Sequence, residues 1–83
     1  MKRSTDEIRY FLLKLSARKQ VNIEYARKEI ATGLQSALKN AKDLERMGFL
    51  KIYETKVGKR MYREIKTTND GRKFLKRLEN IMS

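Results

Sequence analysis

The residues best equipped for specific chemistry lie between Leu34 and Met47: Gln35, Ser36, Lys39, Asn40, Lys42, Asp43 and Arg46. Wound as a helix of about 3.6 residues per turn, this segment puts Leu34, Ala37, Leu38, Ala41 and Leu44 on one side. Ser36, Lys39, Asp43 and Arg46 then fall opposite, flanked by Gln35, Asn40 and Lys42. The chemistry these types offer is hydrogen bonding to flat polar edges and to anions. Gln and Asn can pair bidentately with adenine, Lys and Arg with guanine, and Ser with a phosphate or a base edge. Asp43 either holds Lys39 or Arg46 at helical spacing or accepts from a cytosine amine. An ordinary solvated helix face would have a similar composition, so the types alone do not decide.

A second group lies further on. Lys51, Lys56, Lys59, Arg60, Arg63 and Lys66 stand against only Glu54 and Glu64, with the cations densest at Lys56-Val57-Gly58-Lys59-Arg60. Such a cluster repels itself unless anions neutralise it. Lysines on a hairpin also discourage edge-to-edge pairing, and the two explanations are compatible.

Other chemistries are poorly provided for. The 83 residues contain no histidine and no cysteine, which removes the commonest general base, the thiolate nucleophile and the usual zinc ligands. The four glycines, Gly33, Gly48, Gly58 and Gly71, read as turns or helix ends and not as a nucleotide-binding loop. Asp6-Glu7 and Asn69-Asp70 read as helix starts. No enzyme, metal site or cofactor is expected.

Lys and Arg number 21 against 10 Asp and Glu, a formal charge of +11 that favours polyanions, with nucleic acid ahead of an anionic membrane. Hydrophobic residues make up 40% at regular spacing, enough for one domain over 1–83. Neither a membrane span nor a secretion signal is visible, so a cytoplasmic location is expected.

The elements that would position these groups follow from pattern. Ser4-Thr5-Asp6-Glu7 has capping-box spacing and starts a first helix with Ile8, Phe11, Leu12 and Leu15 as its stripe. Tyr10, Leu13 and Ala17 add a second apolar flank, which either packs under the other helices or meets a second subunit. Gln20 to Ile23 forms a very short strand before a second helix capped by Asn22. Ile23, Ala26 and Ile30 face inward there, and Gly33 is expected to close that helix in the left-handed region. The third helix, about 34–47, ends at Gly48 for the same reason. From Phe49 the period becomes two and defines a hairpin over about 49–67. Thr68-Asn69-Asp70 caps a last helix, about 69–82, with Phe74, Leu75, Leu78, Ile81 and Met82 as its stripe.

Two passages carry a resemblance. Leu44-Glu45-Arg46-Met47-Gly48-Phe49-Leu50 resembles the L-E-x-x-G-[LF]-[IVL] passage from recognition helix into wing in the winged helix-turn-helix superfamily of DNA-binding proteins. Ile65 to Leu75, IKTTNDGRKFL, resembles that superfamily's Y-x-L-T-x-x-G-x-x-x-L passage out of the wing, although Ile65 and Thr67 stand where Tyr and Leu are usual. With the order α-β-α-α-β-β-α the match spans about 4–82 and is similar to small MarR-like and PadR-like regulators and to many from archaea and their viruses and plasmids. The implied fold class is α+β, mostly α, a winged helix-turn-helix with a C-terminal helix.

The resemblance implies a sequence-specific regulator of transcription that binds double-stranded DNA and associates with the nucleoid. Helix 34–47 would enter the major groove, presenting Gln35, Ser36, Lys39, Asn40, Lys42, Asp43 and Arg46. Lys56 and Lys59 would meet phosphates, Arg60 would enter the minor groove, and Arg63 would assist. Tyr25, Arg27 and Lys28 would meet flanking phosphates. Tyr53 and Tyr62 are expected to stack across the hairpin or to serve the DNA. A homodimer is expected through Tyr10, Leu13, Phe74, Leu75, Leu78, Ile81 and Met82, since paired half-sites need paired readers. A coat protein without base readout and a winged helix used for protein contacts are the alternatives. A small-molecule effector would leave no motif, and none is assigned.

Overall fold

The computed structural model describes residues 3–82, with Met82 described by its backbone alone. The elements are α1 (Thr5–Leu15), β1 (Val21–Asn22), α2 (Ile23–Ile30), α3 (Leu34–Arg46), β2 (Leu50–Val57), β3 (Arg60–Thr67) and α4 (Asn69–Met82). The strands form one antiparallel sheet in the order β1-β3-β2.

Helix α1 starts at the expected capping box. The Glu7 amide donates to Ser4 Oγ at 3.2 Å and the Ser4 amide to the Glu7 carboxylate at 3.3 Å. Its stripe joins Ala26 and Ile30 of α2, Ala37, Ala41 and Leu44 of α3, Leu50 of β2 and Ile65 of β3 in one buried core. The two alanines of α3 are fully buried, so with no long side chain in between the helix can lie close to its neighbours.

One expectation about the helix ends is corrected. Helix α2 closes not at Gly33 but at Ala31, which takes φ 63°. Thr32 N–H reaches Arg27 O at 3.0 Å and Ala31 N–H reaches Lys28 O at 3.2 Å, the paired bonds of a Schellman end. Gly33, at φ −72°, is instead the N-cap of α3. A two-residue shift in the corner moved the left-handed position onto an alanine, against the steric preference that guided the expectation.

At Gly48 the expectation holds, with φ 83°. Gly48 N–H bonds Glu45 O and Phe49 N–H bonds Leu44 O, both at 3.0 Å, which ends α3 and turns the chain straight into β2. The hairpin register pairs Leu50 with Thr67 and Ile52 with Ile65 on the core side and places Gly58-Lys59 in a two-residue loop. Because β2 is an edge strand, its outward Ile52 N–H needs a partner. The Glu45 carboxylate supplies one at 2.8 Å, bracing α3 against the base of the hairpin.

The chain leaves the hairpin where it entered. Thr68 N–H donates to Phe49 O at 3.0 Å, and Thr68 Oγ1 donates to Gly48 O at 2.7 Å while accepting from Gly71 N–H at 3.0 Å, as the N-cap of α4. Phe49 and Phe74 stack with centroids 4.4 Å apart. Gly71 is required by proximity, since a Cβ there would sit 1.9 Å from Phe49 O. The two motif passages are therefore halves of one joint. Nearby, buried Ser16 and Thr67 tie the end of α1 to β3, their hydroxyl oxygens 2.9 Å apart and reaching Leu12 O and Leu13 O. Two protons serve these three contacts, so only two are hydrogen bonds at once.

Candidate nucleic-acid interface

With α3 pinned on its buried side, Gln35, Lys39, Lys42 and Arg46 form its exposed ridge. At about 1.5 Å per residue the ridge runs roughly 16 Å along the helix. Among the described residues Gln35, Lys39 and Lys42 make no internal hydrogen bond or ion pair. Arg46, whose side chain is 77% exposed, is braced from below by Asp43. This ridge borders a cleft of about 670 Å³ whose other wall is Ile52 and Glu54 of β2.

Two of the polar residues expected on this face are placed differently. Asn40 is 6% exposed, with its amide donating to Ser36 O at 2.9 Å and its Oδ1 accepting from Arg9 Nε at 3.2 Å. Asp43 is half-buried and holds Arg9 Nη2 at 3.1 Å as well as Arg46. Asn40 sits on the flank of α3 that turns toward α1, and Arg9 fills that seam. Asn40 is thus corrected from a base reader to a structural bracket. Of the two roles open to Asp43, the bracing of Arg46 is the one observed, with Arg9 as an unforeseen second partner.

Arg9 and Glu45 are the positioning residues that sequence reasoning missed. The signal for Arg9 was its place one helical turn before the apolar Leu13, at the margin of the stripe, where a long cation must find a partner across the seam. For Glu45 there was only its adjacency to the helix end, since no pattern in the chain shows that the strand amide seven residues on turns back onto the helix.

Ser36 is half-buried and opens on a second cleft, of about 790 Å³, at the corner between α2 and α3. Arg3, Arg27, Lys28 and Thr32 also line it. Arg27 is engaged by Glu24 at 3.1 Å, and Arg3 by Ile30 O at 3.0 Å and Glu7 at 3.3 Å. Lys28 is exposed and makes no ion pair among the described residues, and Tyr25 is exposed beside it.

In the wing, Lys56, Lys59 and Arg60 are exposed at the tip. Arg63 lies opposite Glu54 in the ladder and pairs with it at 3.9 Å, so part of its charge is met internally. A third cleft, of about 390 Å³, is walled by Arg60, Met61 and Arg63 on one side and Asn22 and Leu34 on the other. The tip strand thus runs beside the start of α3. Tyr53 and Tyr62 do not stack: Tyr53 lies opposite Glu64 and Tyr62 opposite Thr55, a diagonal offset, and Lys51 Nζ covers the Tyr53 ring at 5.5 Å.

The surface expected to meet a second subunit is smaller than its residue types suggest. Leu13 is fully buried and Leu75 is 8% exposed, because α1 and α4 pack on each other and consume both. Phe74 is taken by Phe49, Leu78 is half-buried, and the Tyr10 hydroxyl donates to Glu79 at 3.4 Å. Ile81 alone stands out, at 78% exposed. The Met82 side chain lies outside the described residues.

A helix pair with a tight corner, the second helix presenting a polar ridge, followed by a basic hairpin and a closing helix, defines the winged helix-turn-helix fold. No protein-family model and no curated protein matches the chain. Solved structures do share its fold. One from Streptococcus mutans superposes with a TM-score of 0.82 at 20% identity, covering 95% of this chain and 78% of that one. A PadR-like transcription factor from Bacteroides fragilis gives 0.78 at 15% identity, covering 94% and 82%. A transcriptional regulator homologue from Pyrococcus horikoshii gives 0.70 at 22% identity, covering 92% and 72%. Among the described residues no helix is long and apolar enough to cross a membrane.

Proposed function

We propose that this protein is a sequence-specific regulator of transcription that binds double-stranded DNA, acts by occupancy without chemistry of its own, and works in the cytoplasm with the nucleoid. The observation that carries this reading is the exposed ridge Gln35, Lys39, Lys42 and Arg46, unengaged among the described residues apart from the bracing of Arg46, together with the cationic wing tip. In the reading, α3 enters the major groove, Gln35, Lys39 and Arg46 address base edges, and Ser36 and Lys42 meet the walls of the groove. Lys28 and Tyr25 lie against one flanking phosphate strand, and Lys56, Lys59 and Arg60 against the other or in the minor groove. The protein acts as one domain and as a homodimer, with Ile81 and the open edges of Tyr10, Phe74 and Leu78 meeting a second copy. The names of the similar structures support the regulatory part of the proposal.

Selection of bound duplexes from a random pool tests it. The expected product is an enriched palindrome with half-sites about one helical turn apart. An unenriched pool, with affinities that fall together as salt rises, would replace this reading by that of a coat protein. The exposed Arg18, Lys19, Lys73 and Arg77, which lie outside α3 and the hairpin, are the observation that favours the coat reading.

A further inference from the structure

The cations are not confined to the α3 side. Side chains alternate along a strand, so if Ile52 and Ile65 face the core, Lys51 and Lys66 leave the reverse face of the sheet, where the register sets them opposite each other. Lys66 Nζ donates to Ala17 O at 3.1 Å, and Arg72 Nη1 reaches the same oxygen at 3.3 Å. Two cationic heads are thereby held within two hydrogen-bond lengths of each other at the end of α1. Lys76 follows one turn along α4, Lys14 lies in the last turn of α1, and Arg18 comes directly after Ala17 in the bend that follows that helix. None of the ion pairs among the described residues involves any of these six cations. Two acids border the ridge and keep their charge: Glu64 accepts from the neutral Gln20 amide at 2.9 Å, and Glu79 from the Tyr10 hydroxyl at 3.4 Å, its field also reaching Lys14.

We propose that this reverse ridge is a second DNA-contacting surface, which seats the phosphate backbone of another duplex while α3 and the wing hold the first. The inference rests on the proposed function, because the first duplex is the one read there. Like charges held so close, with no carboxylate between them, are stabilised by a polyanion laid along them. A lipid surface fits less well, since amphipathic membrane contacts bury Trp, Phe or Leu, and none of these is among the large exposed side chains. The ridge touches the surface left for a second copy at Lys14, whose Nζ donates to the Tyr10 hydroxyl at 3.2 Å, and diverges from it on α4. On α4, Ile81 lies roughly half a turn round from Arg72 and Lys76.

The test uses R18Q/K51Q/K76Q, three exposed positions that make no hydrogen bond or ion pair among the described residues, so Lys66 and Arg72 keep their contacts and the fold is left intact. One duplex is immobilised, and capture of a second, labelled duplex is measured beside the affinity for a single dilute duplex. The expected result is capture reduced by about tenfold or more, with single-duplex affinity changed by less than about threefold. Capture that survives in the variant, as bridging through the two reading faces of a dimer would, overturns the proposal. So does an equal loss of both readouts, which would put the ridge inside the first footprint. Charge-dependent binding of phosphatidylserine vesicles without duplex capture would reassign the ridge to a membrane. Wild-type protein that binds no duplex at all would remove the proposed function itself, an outcome separate from the others.

Discussion

Replacing Gly71 by alanine sets two physical effects against each other, and the sign of the result decides between them. Within a helix, alanine is favoured over glycine by about 1 kcal/mol, so on propensity alone Gly71→Ala stabilises α4. The structure says the reverse, because the new Cβ would lie 1.9 Å from Phe49 O and 2.7 Å from Thr67 Cγ2. Neither neighbour is the loose end of a flexible side chain. Either the joint stays and is overpacked, at about 1–3 kcal/mol, or α4 withdraws. Withdrawal weakens the Thr68 cap, the Thr68 to Phe49 backbone bond and the Phe49–Phe74 stack, each worth about 1 kcal/mol. After subtracting the propensity gain, the net expectation is a loss of about 2 kcal/mol. Urea unfolding followed by circular dichroism measures it as a lower midpoint at constant slope. DNA affinity should also fall under conditions where the variant is still folded, because the joint sets the angle between α3 and the wing. A variant as stable as the parent, or more so, refutes the argument that these two passages are locked by close approach.

Other perturbations follow from particular residues. Ala31→Gly should raise stability by about 1 kcal/mol, since Ala31 holds a left-handed conformation at φ 63°, and the same urea titration would show it. Asn40→Ala should cost about 1–2 kcal/mol through its lost bonds to Arg9 and Ser36 O while leaving the selected DNA sequence unchanged. Lys39→Ala should change the preferred bases, and a parallel selection with both variants separates the two roles. Lys59→Ala should weaken all sequences alike and reduce the salt slope by about one unit. The Glu7 carboxyl is held below its ordinary value by the backbone and hydroxyl of Ser4 and then by Arg3. A lowered folded value means that its contribution is complete above the ordinary glutamate range and is lost as pH falls through the lowered value. Glu7→Gln should therefore flatten the acid limb of the stability–pH curve, with little change in the slope near neutrality.

How much of this could be read from the chain differs by element. Helices α1 and α3, the hairpin and α4 were legible because each combines a clear period with a stop or start signal: the Ser4 box, Gly48, the switch to alternation and Thr68. The corner between α2 and α3 was not, because Ala31-Thr32-Gly33 offers its glycine two residues beyond the left-handed position and propensity favoured the wrong residue. For the site, the ridge of α3 was visible in the helical period, but the fate of its margin was not. Asn40 and Asp43 differ from Lys39 and Lys42 only by where α1 lies, and Arg9, which claims both, is distant in sequence. Leu13 and Leu75 were misjudged in the same way, since apolar stripes that bury each other within one chain resemble stripes awaiting a partner.

The joint has a further consequence for how DNA is met. At its base the hairpin is fixed on three sides, by Glu45 on the Ile52 amide, by Thr68 on Gly48 and Phe49, and by β1 pairing with Ile65 and Glu64. Beyond Arg63 it is two strands only, with no third strand and no buried side chain. Two-stranded ribbons are marginal by themselves and twist readily. The base therefore holds α3 in a set register, while the part carrying Lys56, Lys59 and Arg60 can follow a phosphate backbone whose path varies with sequence. Specific readout then falls on the rigid half and tolerant electrostatic contact on the compliant half. A substitution that stiffens the tip should narrow the range of sites bound more than it changes affinity for the best one.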